Sequence, residues 1–493
     1  MKNSITFERL LTKLTRFLWA AALFTLPITS FRYFPFMGDA TLVRPLSFYP
    51  IALLILVLIF QLWRGKTSVP RTGTWIPLIA FVLFALAASS YGALLNPLEL
   101  RGQDYFGRVI RAWATVAIGL SFFVAAVWMN RNEDDLRFTL SWILAGFVMD
   151  VLWSGVQSLA FYTHVLSKVT VTHWQRAFSM RELVRTNRVS GMAYEPAWLA
   201  GQIATVYLPW LFAALLTRVR VTRFKWFELI LLGFALLLLL ATYSRGGLFT
   251  AIIAFLLTML FAGRTEIRTA IHWFGSGFQR GRNLILRVSI VVVILAALVG
   301  AGLFLARKQY IMRLFNSGAS SVEEFIIANS AGARGAYTFG ALGAYSESPW
   351  LGVGLGASGF YIYNHLPDWS KTIVPEIAQQ LSPDSRLYPN PKNIYARLLA
   401  ETGLIGFFLF LAFQFSVLGD VLIVLQKNNA LLRFLGVAGL FSWFAILLYN
   451  FTQDSFAIPN IWINFGVLVG MTLSLPSKPE PASPPEPLDV ASA

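Results

Sequence analysis

Long apolar runs recur along the chain, and short polar stretches rich in Lys and Arg separate many of them. A helix needs roughly 20 mostly apolar residues to cross the hydrocarbon core of a bilayer. The pattern therefore predicts an all-α polytopic membrane protein with about twelve transmembrane helices. The candidate spans lie near residues 17–36, 47–63, 74–94, 112–129, 138–162, 196–216, 226–243, 246–263, 286–306, 403–425, 430–450 and 455–475.

The composition supports a membrane protein over a soluble one. Of the 493 residues, 56% are hydrophobic and only 13% are charged, whereas a soluble domain carries roughly 25% charged residues. The net charge of +16 does not indicate nucleic-acid binding, because membrane topology accounts for many of the basic residues in the loops. The chain has no cysteine, which excludes disulfides, thiol catalysis and cysteine-based metal sites. The four histidines lack ligand spacing, so we expect no metal or other cofactor.

Basic clusters in alternate loops predict the orientation. Short loops rich in Lys and Arg remain in the cytoplasm, and these clusters share the parity of the N-terminus, so we expect both termini in the cytoplasm. The N-terminal run has a basic leader but no small-residue cleavage site, and we interpret it as a retained span. The clusters are Arg64, Lys66 and Arg71; Arg218, Arg220, Arg223 and Lys225; and Arg264, Arg268, Arg280, Arg282 and Arg287.

The predicted organisation is nine spans, a large and partly helical outer loop, three further spans and a disordered cytoplasmic tail, at residues 1–306, 307–402, 403–475 and 476–493. A second outer segment covers about 163–195. Both outer segments are rich in basic residues, which suggests an anionic partner, since the guanidinium of Arg binds phosphate through two parallel hydrogen bonds. Contacts with lipid headgroups or loop carboxylates are the alternative. These residues are Arg176, Arg181, Arg185, Arg188, Arg313, Arg334, Arg386, Lys392 and Arg397.

The stretch ATYSRGGLF, residues 241–249, places Arg245 at the outer end of a span. A charge between two apolar spans is costly to desolvate and usually functional. Gly246 and Gly247 allow a tight turn and a close backbone approach, and we expect the turn to leave the guanidinium facing a cavity. An arginine that snorkels to the interface is the alternative.

The stretch NRVSGMAYEPAWLA, residues 187–200, places Glu195 directly before Pro196. This pair suits the first turn of a helix. Glu195 is then either a cap that interacts with the helix dipole or a base on the outer side.

The stretch from residue 330 to residue 360 contains G-x-G-x-x-G at Gly354, Gly356 and Gly359. A dinucleotide site would need a preceding strand and a βαβ unit, and an outer loop between transmembrane helices offers neither. We therefore interpret the glycines as loop-forming residues that follow a helix ended by Pro349. Arg334 lies on that helix.

The stretch YPNPKNIYARLLAETGLIG, residues 388–406, joins an extended approach to a helix that begins near Asn393. The two prolines keep the approach extended. Lys392, Tyr395 and Glu401 are expected to cluster near the start of the helix, where the N-terminus itself favours an anion.

The order of these motifs resembles the O-antigen ligase and polymerase superfamily of bacterial envelope glycosyltransferases. The resemblance rests on S-R-G-G at a span end, an arginine in a large outer loop, P-W-L-G-V-G-L-G, and N-x-Y-x-x-L-L-A-E-T-G-L-I-G. It covers roughly residues 190–420, and the twelve-span layout agrees with it. Members are metal-independent, multi-span enzymes of the GT-C class.

The resemblance implies the chemistry and the partners. The donor is an oligosaccharide on undecaprenyl pyrophosphate at the outer face of the bacterial inner membrane, and a hydroxyl of a glycan or lipid-linked acceptor attacks its anomeric carbon. Preorganised arginines stabilise the leaving pyrophosphate, a role that Arg245 and Arg334 inherit by position. The substrate contacts that we expect come from Arg188, Asn393, Tyr395, Arg397 and His365.

The chain departs from the ligase pattern at Lys392, where a histidine is expected before the asparagine. A lysine is normally protonated and needs a strongly lowered pKa to act as a base. We therefore expect Lys392 to bind phosphate and Glu195 to act as the base. His365 lies in the same outer loop as Lys392, and the fold of the loop would have to bring it close to Lys392 for it to replace the missing histidine.

Polymerase and ligase use the same donor and differ in the acceptor. The Glu-Pro pair at 195–196 and the absent histidine favour an O-antigen or exopolysaccharide polymerase, and a ligase that transfers the glycan to lipid A core is the alternative.

Two other classes of protein stay open on the sequence. Asp150, inside the fifth span, is compatible with a proton relay in a secondary transporter, although the spans show no repeat of two halves. A non-catalytic assembly factor predicts that Lys replaces Arg245 and Arg334 without loss of polymer.

Overall fold

The computed structural model describes residues 2–33, 42–95, 99–184, 186–276, 281–306, 312, 318–328, 331–385, 387–427 and 429–473. The fold of these residues is all-α, and their only β-type pairings are two isolated bridges. The helices are α1 (Lys2–Phe24), α2 (Phe48–Trp63), α3 (Trp75–Gly92), α4 (Tyr105–Met129), α5 (Glu133–Ser158), α6 (Lys168–Gln175), α7 (Pro196–Gln202), α8 (Leu208–Thr217), α9 (Phe227–Ala241), α10 (Arg245–Ala262), α11 (Arg264–Gly275), α12 (Gly281–Ala306), α13 (Val322–Ala328), α14 (Gly332–Glu347), α15 (Gly359–Ile362), α16 (Asp368–Ile373), α17 (Pro375–Leu381), α18 (Ile394–Leu425), α19 (Ala430–Tyr449) and α20 (Ile463–Thr472).

The helices confirm a polytopic membrane protein. Each of the twelve predicted spans overlaps a helix, but the described residues contain seven helical segments that are long and apolar enough to cross a bilayer. Three shorter apolar helices accompany them, at Phe48–Trp63, Phe227–Ala241 and Leu284–Ala296. The seven are Trp75–Leu95, Tyr105–Met129, Glu133–Thr163, Pro196–Thr217, Arg245–Ala262, Ile394–Leu425 and Ala430–Tyr449.

The first predicted span is placed wrongly. The sequence predicts helix over 17–36, whereas α1 begins within the basic leader at Lys2 and ends at Phe24. The polar positions Thr25, Thr29 and Ser30 follow directly, and the backbone there pairs with the segment before α2, where Phe31 N–H donates to the Arg44 carbonyl at 2.7 Å.

Large apolar side chains cover the outside of the helix assembly. Ile76, Leu83, Leu237 and Phe261 are each more than 50% exposed. Exposed apolar residues in such density along span-length helices are what a lipid-facing surface requires. The interior is equally apolar, and a core cluster that includes Phe122 and other fully buried rings joins most of the long helices.

The span Pro196–Thr217 is interrupted by a π-helical segment, Ile203–Tyr207, between α7 and α8. A π segment shifts the helical hydrogen-bond register. Asn464 of α20 donates from Nδ2 to the Thr205 carbonyl at 2.8 Å and accepts from Trp210 Nε1 at 3.0 Å. The buried amide thereby ties the irregular turn to a neighbouring helix, as a dry interior requires.

Helix α18 is broken at Gly403, which has φ 62° and ψ −169°. This backbone conformation is essentially restricted to glycine. A Cβ atom at Gly403 would lie 2.3 Å from the carbonyl of Trp350, so the break also admits a neighbouring loop. The sequence places the start of a span at residue 403, whereas the helix begins at Ile394 and continues after the break.

The glycine loop from 349 to 354 fills this break. Val353 N–H donates to the Ala400 carbonyl at 2.9 Å, and Gly354 N–H donates to the Glu401 carbonyl at 3.0 Å. Leu404 N–H donates to the Pro349 carbonyl at 2.8 Å. The loop satisfies the backbone groups that the break exposes, which is the condition for irregular backbone at membrane depth. The P-W-L-G-V-G-L-G motif and the motif that opens α18 therefore form one hydrogen-bonded structure.

Candidate functional site

A cleft of about 260 Å³ lies where α14, the approach to α18 and the turn after α19 meet. Its lining combines apolar side chains with two cationic ones. Such a mixed lining suits a ligand with an anionic group attached to an apolar one. The lining residues are Ile326, Ala331, Arg334, Gly335, Thr338, Phe339, Lys392, Phe451 and Thr452.

Arg334 lies in the first turn of α14 and is exposed to the cleft. Its Nη1 donates to the Thr452 carbonyl at 3.1 Å. This bond leaves most of the five donor N–H groups of the guanidinium available to a ligand. The contact also fixes α14 against the turn that follows α19.

Arg245 lies beside the same turn, in the first turn of α10. The adjacent Gly246 places its Cβ position 3.5 Å from Thr452 Cγ2. Arg245 is half-buried, and Ser244 caps its helix by accepting the Gly247 N–H at 3.3 Å. The structure thus brings Arg334 and the helical turn that carries Arg245 to the same residue, Thr452.

The tight turn expected at Gly246 and Gly247 does not form, whereas the expected close approach is found at Gly247. Both are helical, and the turn lies just before them, where Tyr243 has φ 48°. Close approach is the real requirement at Gly247, since a Cβ atom there would lie 2.3 Å from Ala200 Cβ on α7. The glycine packs the helix that carries Arg245 directly against the helix that follows Glu195.

Glu195 occupies the N-cap position of α7, as the sequence predicts, but its side chain forms no capping hydrogen bond. Its backbone carbonyl accepts the Trp198 and Leu199 N–H groups at 2.9 and 3.1 Å. Within the described part of the chain, the half-buried carboxylate also has no ion-pair partner within 4 Å. Tyr449 lies within electrostatic range of Glu195, Arg334 and Asp454.

A ladder of polar side chains on α5 holds the loop that leads to Glu195. Asp150 Oδ1 accepts the Met192 N–H at 2.7 Å. About two helical turns farther along α5, Gln157 Oε1 accepts the Ser190 and Gly191 N–H groups, each at 3.0 Å. Asp150 and Gln157 are fully buried. Asp150 thus accepts a hydrogen bond from the loop. This structural contact accounts for a carboxylate in the span without a proton relay.

Arg188 anchors a second part of that loop. Its Nε donates to the Thr242 carbonyl at 2.9 Å and its Nη2 to the Tyr243 carbonyl at 3.4 Å. Arg188 therefore joins the Glu195 loop to the turn before Arg245. The expected substrate contact of Arg188 stays a prediction.

Lys392 has a left-handed backbone, with φ 60°. Its N–H donates to Asp454 Oδ2 at 3.1 Å. A lysine with positive φ is uncommon and is found where surrounding contacts hold it. Among the described residues, its ammonium group has no ion-pair partner, and it is half-buried in the cleft wall.

Asn393, Tyr395 and Arg397 are oriented mainly toward the protein. Asn393 Oδ1 caps α18 by accepting the Tyr395 and Ala396 N–H groups at 2.9 and 3.2 Å. The Tyr395 hydroxyl donates to the Leu447 carbonyl at 3.0 Å. The cluster of Lys392, Tyr395 and Glu401 expected from the sequence does not form, because only Lys392 faces the cleft.

Arg397 and Glu401 form a buried ion pair below the cleft. Arg397 Nε lies 2.9 Å from Glu401 Oε2, and the two side chains are 11% and 2% exposed. Arg397 Nη1 also donates to the Asp454 carbonyl at 2.6 Å, while Ser358 Oγ donates to Glu401 Oε1 at 2.8 Å. The pair on α18 is therefore bonded both to Ser358, which follows the glycine loop, and to the Asp454 turn.

His365 does not lie at the cleft. Its Nε2 is 3.2 Å from Glu347 Oε1 at the C-terminal end of α14. Arg334 lies thirteen residues earlier on that helix, roughly 20 Å away at 1.5 Å per residue. The structure therefore does not bring His365 to the position of a base beside Lys392.

The turn from Thr452 to Asp454 is the part of the site that the motifs do not identify. Its only signal in the sequence is the largely polar stretch Asn450–Asp454 between two predicted spans. Arg185, Arg313 and Arg386 lie outside the described residues. No group of three His, Asp or Glu side chains that could hold a metal ion occurs in the described ranges.

Residues 230–411 match the sequence model of the O-antigen ligase family. The matched region contains Arg245, Arg334, Lys392 and the break at Gly403, and it confirms the superfamily that the motifs indicate. This family is enzymatic and acts on lipid-linked glycans. A comparison with curated proteins found no match.

Proposed function

We propose that this chain transfers or polymerises undecaprenyl-pyrophosphate-linked oligosaccharide repeats on the outer face of the bacterial inner membrane. The observation that carries the proposal is that Arg334 and Lys392 line one cleft with Thr452, and that the first turn of α10, which carries Arg245, lies against the same threonine. Cationic side chains at and beside one cleft suit a pyrophosphate, whose negative charge grows as it leaves.

The reaction follows from this arrangement. An acceptor hydroxyl oxygen attacks the anomeric carbon, and the bond from that carbon to the phosphate oxygen breaks with its electron pair on the pyrophosphate. Arg245, Arg334 and Lys392 stabilise the charge of the leaving group. Glu195 takes the proton of the acceptor hydroxyl, a role supported by a carboxylate that is not used for capping.

The shape of the cleft supports a lipid-linked donor. Its lining includes the large apolar side chains of Ile326, Phe339 and Phe451 as well as the cationic Arg334 and Lys392. In the proposed arrangement the pyrophosphate contacts the cations, while the first isoprene units contact the apolar wall.

A polymerase is the first assignment, because of Glu195–Pro196 and because Lys392 stands where a ligase has histidine. A ligase that transfers the glycan to lipid A core is the second assignment, since the matching family model is described as O-antigen ligase. A transporter is a remoter alternative, and the use of Asp150 by the Met192 N–H weakens its main support.

Deletion of the gene in its host, followed by sizing of lipid-linked and surface glycans, tests the assignment. A polymerase predicts single repeats on the carrier and loss of long chains. A ligase predicts long chains that stay on the carrier. An unchanged profile without a compensating paralogue contradicts both.

A further inference from the structure

Helix α11 (Arg264–Gly275) is separated from α10 by only Gly263 and is followed by the apolar segment Leu284–Ala296. The 18 residues of α10 are about 27 Å long at 1.5 Å per residue, which is close to the thickness of the hydrocarbon core. Helix α11 therefore lies at the membrane boundary opposite Arg245.

The side chains of α11 divide into two adjoining stripes. At 100° per residue, Ile267, Ile271 and Phe274 fall within an arc of roughly 60°. Arg264 and Arg268 fall beside that arc, with His272 next to them. Ile267 and Ile271 are 40% and 65% exposed, so the protein itself does not cover the apolar stripe. An amphipathic helix of this kind lies in the plane of the interface.

Contacts at both ends hold α11 in place. Glu266 pairs with Arg433 near the start of α19. Arg287 of α12 lies over the Trp273 ring, 4.8 Å from its centroid, and its Nη1 donates to Ser276 Oγ at 2.9 Å. Glu266, the acidic residue of α11, is paired with Arg433 and therefore does not neutralise the arginines of α11. Neither Arg264 nor Arg268 pairs with a carboxylate of any described residue.

We infer that α11 is a docking surface for anionic phospholipid headgroups of the leaflet opposite the candidate site. The apolar stripe inserts beside the acyl chains, and Arg264 and Arg268 then stand at the height of the phosphate groups. Zwitterionic headgroups carry no net charge and gain less from the two guanidinium groups, so the surface prefers anionic lipid.

The cysteine-free chain permits a direct test. A single cysteine at Ile271 of the full protein, labelled with a fluorophore, is reconstituted in vesicles that contain phosphatidylcholine and phosphatidylglycerol. Either lipid carries a quencher near its headgroup. Thr269→Cys, on the polar side of the same helix, and Leu256→Cys, on the lipid-facing side of α10, are the matched labelling sites.

The expected result is strong quenching at Ile271, weak quenching at Thr269, and about twofold stronger quenching at Ile271 by phosphatidylglycerol than by phosphatidylcholine. Arg264→Gln with Arg268→Gln brings the ratio at Ile271 to one, Arg264→Lys with Arg268→Lys retains it, and Leu256 shows a ratio near one throughout. Equal quenching at Ile271 and Thr269 would overturn the interfacial placement. A ratio of one in the unsubstituted chain, or one that survives the Gln substitutions, would overturn the anionic preference.

Discussion

Arg334, near the start of α14, donates a hydrogen bond to the backbone carbonyl of Thr452, which lies just after α19, 118 residues farther along the chain. The bond joins the helix of the large loop to the turn that follows α19. Gly246, beside Arg245, touches the same threonine. Thr452 is thus the point at which three distant segments of the chain meet.

Replacing Arg334 tests the pyrophosphate role. Arg334→Ala is expected to lower turnover by about 100-fold, since the loss of one preorganised donor to a developing anion has this magnitude. Arg334→Lys should recover only part of the activity, because an ammonium group does not bind phosphate through two parallel bonds. Turnover of lipid-linked repeats by the purified protein is the measurement.

Arg111→Ala is the matched control for Arg334→Ala. Arg111 is an exposed arginine near the start of α4 that bonds to Gln103 at 2.6 Å and does not line the cleft. Equal losses in the two variants, or full turnover with Arg334→Lys, would remove Arg334 from the proposed role.

Glu195→Gln tests the base. The amide cannot accept the acceptor proton, so turnover is expected to fall by about 100-fold to 10,000-fold while binding of the donor is retained. Full turnover of Glu195→Gln combined with complete loss in Lys392→Met would transfer the role of base to Lys392.

Asp150→Ala tests whether the α5 ladder positions Glu195. Loss of the acceptor of the Met192 N–H should loosen the loop and lower turnover by about tenfold, the scale that a misplaced catalytic group produces. Asp150→Asn keeps an oxygen that can accept the Met192 N–H, and it should therefore recover most of the turnover lost in Asp150→Ala. In the Glu195→Gln background, Asp150→Ala should add no further loss.

Asp420→Ala controls for the removal of a carboxylate from a membrane-spanning helix. Asp420 lies on α18 and accepts the Thr74 hydroxyl at 3.0 Å, away from the cleft. Turnover that falls equally in both Ala variants would assign Asp150 to general stability instead of positioning.

Gly403→Ala tests the break in α18. The backbone at Gly403 costs a residue with a side chain about 1–3 kcal/mol, and the added methyl group also meets the Trp350 carbonyl. The midpoint of thermal unfolding in detergent should therefore fall. Gly419→Ala, in the regular part of the same helix with open space around it, should leave the midpoint unchanged or slightly higher.

The sequence predicts the membrane class and most helix positions because apolar periodicity is a dense signal. It also predicts Arg334 and Lys392 as neighbours in function, since their motifs lie in one loop. The break at Gly403 cannot be predicted from the sequence, because LLAETGLIG fits an uninterrupted helix. Glycine is needed there because the Trp350 carbonyl approaches the backbone, a contact that only the structure shows. Contacts between distant segments decide the conformation there.

The turn around Thr452 and Asp454 is missed for a related reason. Polar residues between two spans normally mean a solvated connection, and nothing local shows that Asp454 holds the Lys392 backbone. Gly246 and Gly247 mislead in the opposite direction, because paired glycines are typical of turns. At Gly247 the requirement comes from Ala200, 47 positions away in the chain.

The most direct test of the central claim is reconstitution of the purified protein with undecaprenyl-pyrophosphate-linked repeats and an acceptor. Released undecaprenyl pyrophosphate and new glycosidic bonds are measured together. The account predicts one carrier released for each bond formed, with both products lost in Arg334→Ala and retained in Arg111→Ala. Glycan transfer that continues unchanged in Arg334→Ala, or glycan that crosses the vesicle membrane without any bond formed, would contradict it.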